Sequence, residues 1–196
     1  MAAPVRWWTA AGGFDGDAGW PMDGAAVVGV AGQAGRVAAR AAIRAALQAA
    51  LAQACGVAPD AIVLHAPPGS GEAPYAIVGG TRRAAAAISH DGELSLAAFR
   101  FDGPVGIDVM QVVPVPDWQA VARDYLGPAT AAVLAAVPEG DRDAAFARAW
   151  SEREARLKCL GWPLREWDAG DDAALQACTC LPLAVPAGYV ATLALP

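Results

Sequence analysis

The chain has 196 residues, 56% of them hydrophobic and 17% charged, which is enough apolar content to pack one domain or two small ones. A net charge of −6 argues against general nucleic-acid binding, because phosphate contacts need a basic face that releases counterions. Four cysteines without a CxxC pair and only two histidines, His65 and His90, give no zinc-ligand spacing, so reduced thiols are expected.

The N-terminal "MAAPVRWWTAAGGFDGDAGW" has one Arg, no sustained apolar stretch and two aspartates, so no signal peptide is expected. The longest apolar run, "GAAVVGVAG" at 24–32, is too short to span a bilayer and has the length of a strand. A cytoplasmic protein without a membrane segment is the expectation. Next comes "GRVAARAAIRAALQAALAQACG", in which Val37, Ile43, Leu47 and Leu51 recur at helical spacing until Gly56 stops the helix. Arg36, Arg40 and Arg44 line one side of it, as a solvated face or as an anion cradle.

"AIVLHAP" at 61–67 reads as a short strand, followed by a loop rich in Pro and Gly. "AAAAISH" and "ELSLAAFRF" flank Asp91-Gly92, a hairpin turn signal that puts Ser89 and His90 at a strand end. A strand over 104–110 follows Asp102-Gly103, the expected seam between an N-terminal half, 1–102, and a C-terminal half, 103–196. Helices are expected from Trp118 to about Val137 and from Arg142 to Leu160, then strands over "LQACTCLPLAV" and "GYVATLALP". Cys178 and Cys180 alternate as small apolar side chains. Each half runs strand, helix, strands, which predicts an α+β chain of two similar halves.

Chemistry concentrates in three stretches. "WSEREARLKCLG" at 150–161 holds Lys158, the only lysine beside thirteen arginines. On a helix, Trp150, Glu154, Leu157, Lys158 and Gly161 share one stripe, so carboxylate and ammonium emerge together; a plain surface pair is the bland alternative. Asp108 interrupts the apolar strand "VGIDV", and a buried carboxylate is costly unless a cation or several donors meet it. Two carboxylates brought together repel unless a hard cation lies between them, which points to magnesium held by Asp108 and Glu154 with substrate oxygens completing the shell. Ser89-His90 is the third stretch, and a histidine there could equally satisfy a nearby carbonyl.

"ISHDG", "VGIDVM" and "WSEREARLKCLG", in this order and spacing over residues 88–161, resemble the Sfp-type 4'-phosphopantetheinyl transferases, whose pattern is an SH pair, GIDxE and WxxKExxxKxxG. The resemblance implies two pseudo-symmetric α+β halves with coenzyme A in the cleft between them. It implies magnesium-dependent transfer of the 4'-phosphopantetheine arm to a serine of an acyl or peptidyl carrier protein, with release of 3',5'-ADP, as in a holo-acyl-carrier-protein synthase. Which carrier is served, in fatty acid, polyketide or non-ribosomal peptide synthesis, stays open. By position, Asp108 and Glu154 correspond to magnesium ligands, Ser89 and His90 to contacts with coenzyme A phosphates, and Lys158 to the lysine facing the pyrophosphate in charge stabilisation or proton handling. A lysine can give up a proton where Arg cannot, a reason to keep one in an Arg-rich chain. Two halves in one chain also imply a cleft built without a partner, hence a monomer.

Three departures stand against the pattern. Met110 replaces the Glu of GIDxE, Arg153 replaces the first lysine of WxxKE, and "GEAPY" at 71–75 replaces a Gly-Lys-Pro that helps bind coenzyme A. Glu72 would repel an adenosine phosphate, so arginines must compensate, Arg44 and Arg82 before Arg83, which points to the other face of its strand. These departures leave two other readings: a relative that binds coenzyme A or a carrier without transfer, and a scaffold without a ligand. Trp150 is expected to pack beneath the helix that bears Glu154 and Lys158.

Overall fold

The computed structural model describes every residue except 1, 10, 15–23, 34 and 66–72. Glu72 and the end of the strand expected at 61–67 therefore lie outside the described residues.

The N-terminal part builds a six-stranded sheet from β1 (Arg6–Trp7), β2 (Ala25–Ala31), β3 (Ile62–His65), β4 (Tyr75–Val78), β5 (Arg82–Asp91) and β6 (Leu94–Arg100). Their order is β1-β2-β6-β5-β4-β3, antiparallel except for the β1–β2 pair. Helix α1 (Arg36–Cys55) covers one face of it. Its Ala-rich sequence has no Gly or Pro to interrupt it, and Gly56 ends it in the left-handed region at φ 65°. Ile43, Leu47 and Leu51 are buried against the sheet as the spacing predicts, each contributing roughly 1.5–3 kcal/mol. Val37 departs from that stripe and is 84% exposed, because the first turn of α1 lies beyond the apolar layer.

A second sheet, in the order β7-β9-β8, is made by β7 (Gly106–Gln111), β8 (Thr179–Pro182) and β9 (Tyr189–Leu195). Its inner side chains Val105, Ile107, Val109 and Leu193 pack against Val27, Ala87, Leu94 and Leu96 of the first sheet. Strand alternation thus gives β5 and β6 two apolar faces, one for α1 and one for the second sheet. The outer face of the second sheet carries α4 (Glu139–Cys159). The architecture is α+β, with two sheets and two long helices as its main layers.

Three expected elements are corrected. The helix expected from Trp118 to Val137 is three pieces: α2 (Trp118–Val121), a wider π turn over Ala122–Leu126, and α3 (Pro128–Ala135). Gly127 at φ 87° leaves the helical region, and Pro128 restarts the helix at a position where its missing N–H costs nothing. Helix α4 begins at Glu139 rather than Arg142, since Glu139 and Asp141 suit a helix N-terminus and offset Gly140. "LQACTCLPLAV" is only partly strand: α5 (Asp172–Ala177) takes its first three residues and β8 only Thr179–Pro182. Cys178 and Cys180 do join one apolar cluster, with Ala155, Cys159 and Ala194.

The β5–β6 turn is also one residue later than expected. Asp91 still pairs with Leu94, so Gly92 and Glu93 form the turn, with Gly92 at φ 54°. That shift leaves Asp91 as the last residue of β5, free to reach the second sheet. Strand β7 pairs with β9 on one side only. On its other side the N–H of Val109 donates to Ser89 Oγ at 3.2 Å and that of Gln111 donates to Asp91 Oδ2 at 2.7 Å. Two side chains two residues apart on β5 therefore satisfy two edge amides two residues apart on β7, holding the sheets in register.

Candidate functional site

The edge where β5 meets β7 opens into a cleft of about 320 Å³ lined by Ser89, His90, Asp91, Asp108, Met110, Trp150, Glu154 and Lys158. Strand β7 contributes Asp108, only 4% exposed, on the face turned to α4. Helix α4 supplies Trp150, Glu154 and Lys158 from one stripe, four residues apart. Gly106, two residues before Asp108 on the same face, lets the backbone of α4 come close enough for its side chains to reach the carboxylate.

Lys158 is the hub. Its Nζ lies 2.7 Å from Asp108 Oδ1 and 3.2 Å from Glu154 Oε2, and it donates to Ser89 Oγ at 3.2 Å. The Glu154–Lys158 pair is thus no plain surface pair, since it shares its ammonium with a buried carboxylate. Ser89 Oγ donates to Asp108 Oδ1 at 2.7 Å while accepting from Val109 N–H and Lys158. One donor and two lone pairs are then all spent, so Ser89 orients Asp108 in this arrangement and has no hydrogen left for a phosphate. Asp108 Oδ2 has no donor among the described residues and is the oxygen left for another partner.

Further groups hold the cluster in place, and the sequence alone did not single out their roles. Trp150 Nε1 donates to Glu154 Oε1 at 3.1 Å, so the indole aims the carboxylate besides packing against Phe146 and Tyr125. Ser151, fully buried, has its Oγ 3.3 Å from the Asp108 carbonyl, to which it donates, and 3.1 Å from Thr192 Oγ1, from which it can accept, tying α4 to both β7 and β9. His90 Nδ1 bonds to the hydroxyl of Ser95 at 2.8 Å.

Arg44 and Arg82 are not brought into this cleft. Arg44 is exposed on the outer side of α1, with Arg36 and Arg40, as a solvated face. Arg82 lies seven residues before Ser89, roughly 23 Å along an extended strand, with its guanidinium 3.7 Å from the centre of the Phe101 ring. Arg153 faces away as well: it is buried and donates to the carbonyls of Arg165 and Glu166, each at 3.3 Å. A second, mostly apolar cavity of about 280 Å³ adjoins Lys158, lined also by Pro74, Ala86, Ile88, Trp162 and Pro163.

Burial is the largest influence on Asp108 and pushes its carboxyl up to about 6 from an ordinary 3.8. The Lys158 ammonium opposes that rise, Glu154 adds to it, and the hydrogen bonds from Lys158 and Ser89 oppose it again. Between about pH 4 and 6 the folded chain keeps a proton here that the unfolded chain has released, so the stability contributed by this residue falls as the pH rises through that window. In EDTA, Asp108→Asn, which cannot titrate, is expected to gain on the wild type in urea midpoint between about pH 4 and pH 7. A gap that stays constant across those pH values would show that the Asp108 carboxyl is not raised.

The donor set suits a hard divalent cation: two carboxylates converge on one cleft, one with an unpartnered oxygen. Among the described residues no group of three or more His, Cys, Asp or Glu side chains that could hold a metal ion gathers. Nor is any helix of the described residues long and apolar enough to cross a membrane.

Comparison with known proteins agrees with this picture. The family model of the 4'-phosphopantetheinyl transferase superfamily matches residues 104–191, the stretch that carries β7, α4 and β8. A curated relative, 4'-phosphopantetheinyl transferase HetI of Nostoc sp. (strain PCC 7120 / SAG 25.82 / UTEX 2576), is 30% identical over 74 residues. That match covers 38% of this chain and 31% of the relative, so the chain spans about a third of the length of the curated protein it matches. The chain resembles the 4'-phosphopantetheinyl transferases.

Proposed function

We propose that the chain belongs to the Sfp-type branch of that superfamily. It transfers the 4'-phosphopantetheine arm of coenzyme A to a serine hydroxyl of an acyl or peptidyl carrier protein and releases 3',5'-ADP. The observation that supports this most is the meeting of Asp108, Glu154 and Lys158 within hydrogen-bond distance, each at its motif position although Asp108 and Lys158 are fifty residues apart in sequence. Phosphoryl transfer asks a protein mainly for positioning and charge neutralisation, which two carboxylates and an ammonium in a half-buried cleft supply.

Asp108 and Glu154 would hold magnesium, whose charge offsets that of the diphosphate. Lys158 brings a mobile ammonium on a long stem to the same diphosphate and bridges the polar cleft to the apolar cavity. An extended ligand with a charged diphosphate and a less polar arm fits that pair of cavities. His90 lines the cleft and offers its second ring nitrogen to a phosphate while Nδ1 stays on Ser95. Trp150 and Ser89 act through the carboxylates they orient. Domain halves at 1–102 and 103–196, a monomeric state and a cytoplasmic location belong to the same proposal.

Incubation of the purified chain with coenzyme A, magnesium and an apo carrier protein tests it. Transfer adds about 340 Da to the carrier, the mass of the arm. Coenzyme A affinity without that gain would instead identify a binding relative, and neither signal would leave a scaffold.

A further inference from the structure

Glu154 has two carboxylate oxygens, and each already has one partner. Oε1 accepts from Trp150 Nε1 at 3.1 Å, and Oε2 stands 3.2 Å from Lys158 Nζ. The same Nζ lies 2.7 Å from Asp108 Oδ1, inside a site where Asp108 is 4% exposed. Resting on the cation site proposed above, we infer that Lys158 is the resident counter-ion of the Asp108–Glu154 pair and competes with a divalent cation for it, so that cation and diphosphate bind cooperatively.

Charge and geometry give the reason. Two carboxylates this close, one of them out of water, need a positive neighbour to remain ionised together, and among the described residues the Lys158 ammonium is the one beside them. A divalent ion held by Asp108 and Glu154 would draw on the same carboxylate charge that Lys158 now neutralises. It also meets the repulsion of an ammonium held by the same two groups. Lys158 can leave only if its charge is satisfied elsewhere. Its flexible stem already lines both cavities, and a diphosphate bound in either one would be an anion able to receive it. By linkage, an anion that draws Lys158 away raises cation affinity, and a cation that displaces Lys158 raises anion affinity. The cation alone binds weakly.

Mn2+ titrated into the full chain without coenzyme A, with free Mn2+ read by its paramagnetic resonance signal, tests this without any turnover. Lys158→Met and Lys158→Gln are expected to bind Mn2+ at least about tenfold more tightly than the wild type, since both the competing bond and the local positive charge are gone. Lys158→Arg keeps the charge and is expected to stay near the wild type. Arg40→Met makes the same change in net charge on the outer face of α1 and is expected to leave Mn2+ affinity unchanged. Asp108→Asn in the Lys158→Met background is expected to abolish the tight binding, which assigns it to this site. If the folded Lys158→Met and Lys158→Gln chains bind Mn2+ no better than the wild type, the competition is refuted while the cation site stands. If none of these chains binds Mn2+, the cation site itself fails, and the inference with it.

Discussion

Asp108→Ala and Glu154→Ala are each expected to lower the rate of arm transfer at least about a hundredfold, the size of effect that follows loss of a charge aimed at a reacting diphosphate. The two substitutions act on one cluster by different routes. Asp108→Ala removes the nearer of the two carboxylates that hold Lys158 Nζ and the acceptor of Ser89 Oγ, so it leaves the ammonium on Glu154 and unties the hydroxyl in one change. Glu154→Ala removes the carboxylate that Trp150 orients and leaves Lys158 on Asp108. Because Asp108 is buried and Glu154 partly exposed, the first is expected to cost stability as well and the second very little. Rates measured on chains whose folded state is verified by circular dichroism separate the two contributions. Activity retained by both variants under limiting magnesium would discredit the shared cation site.

Gly106→Ala is expected to destabilise the chain by about 4 kcal/mol or more, beyond the usual range for a point substitution. A Cβ at this position would overlap the carbonyl oxygen of Ala155 and stand 2.5 Å from the amide of Cys159. Both are backbone atoms of α4, four residues apart along the helix, so no side chain can turn aside to make room. The helix has to move off β7 as a body. That movement also parts Lys158 from Asp108, so whatever folded population remains is expected to be inactive. Urea unfolding at neutral pH measures the first effect and the carrier mass gain the second. A Gly106→Ala chain with the wild-type midpoint would show that α4 does not lie against β7 as described.

These two expectations differ in how far the sequence announced them. Asp108 stands out in the sequence because an acid inside an apolar strand violates local pattern, and Glu154 because it shares a helix stripe with the only lysine. Gly106 gives no such signal. A glycine inside an expected strand reads equally as a bulge, a bend or a close approach, and only the tertiary structure shows that a helix backbone is what approaches it. Trp150 and Ser151 belong with Gly106: an aromatic and a serine on a helix read as packing and surface, and their bonds to Glu154 and to the Asp108 carbonyl join residues from separate elements.

Ser89 was legible as a site residue and its partners were not. Its hydrogen donates to Asp108, a fact that depends on the edge of β7 lying against β5 and on no feature near Ser89 in the chain. Arg44 and Arg82 show the converse. The family resemblance implied arginines as phosphate ligands, yet α1 turns the first to solvent and the length of β5 carries the second well away from the cleft.

By itself the sequence determined the strand and helix periods, the long helices α1 and α4, and the identity of the charged groups, because these depend on side chains at most a few residues apart. Tertiary structure alone decided that a carboxylate of β7 and a carboxylate of α4 share one ammonium, that a serine of β5 orients the first and an indole the second, and which arginines stay outside. The physical reason is range. Backbone periodicity is set by neighbours, whereas desolvation and ion pairing are set by whatever distant segment the apolar faces of two sheets and a helix bring to the same edge.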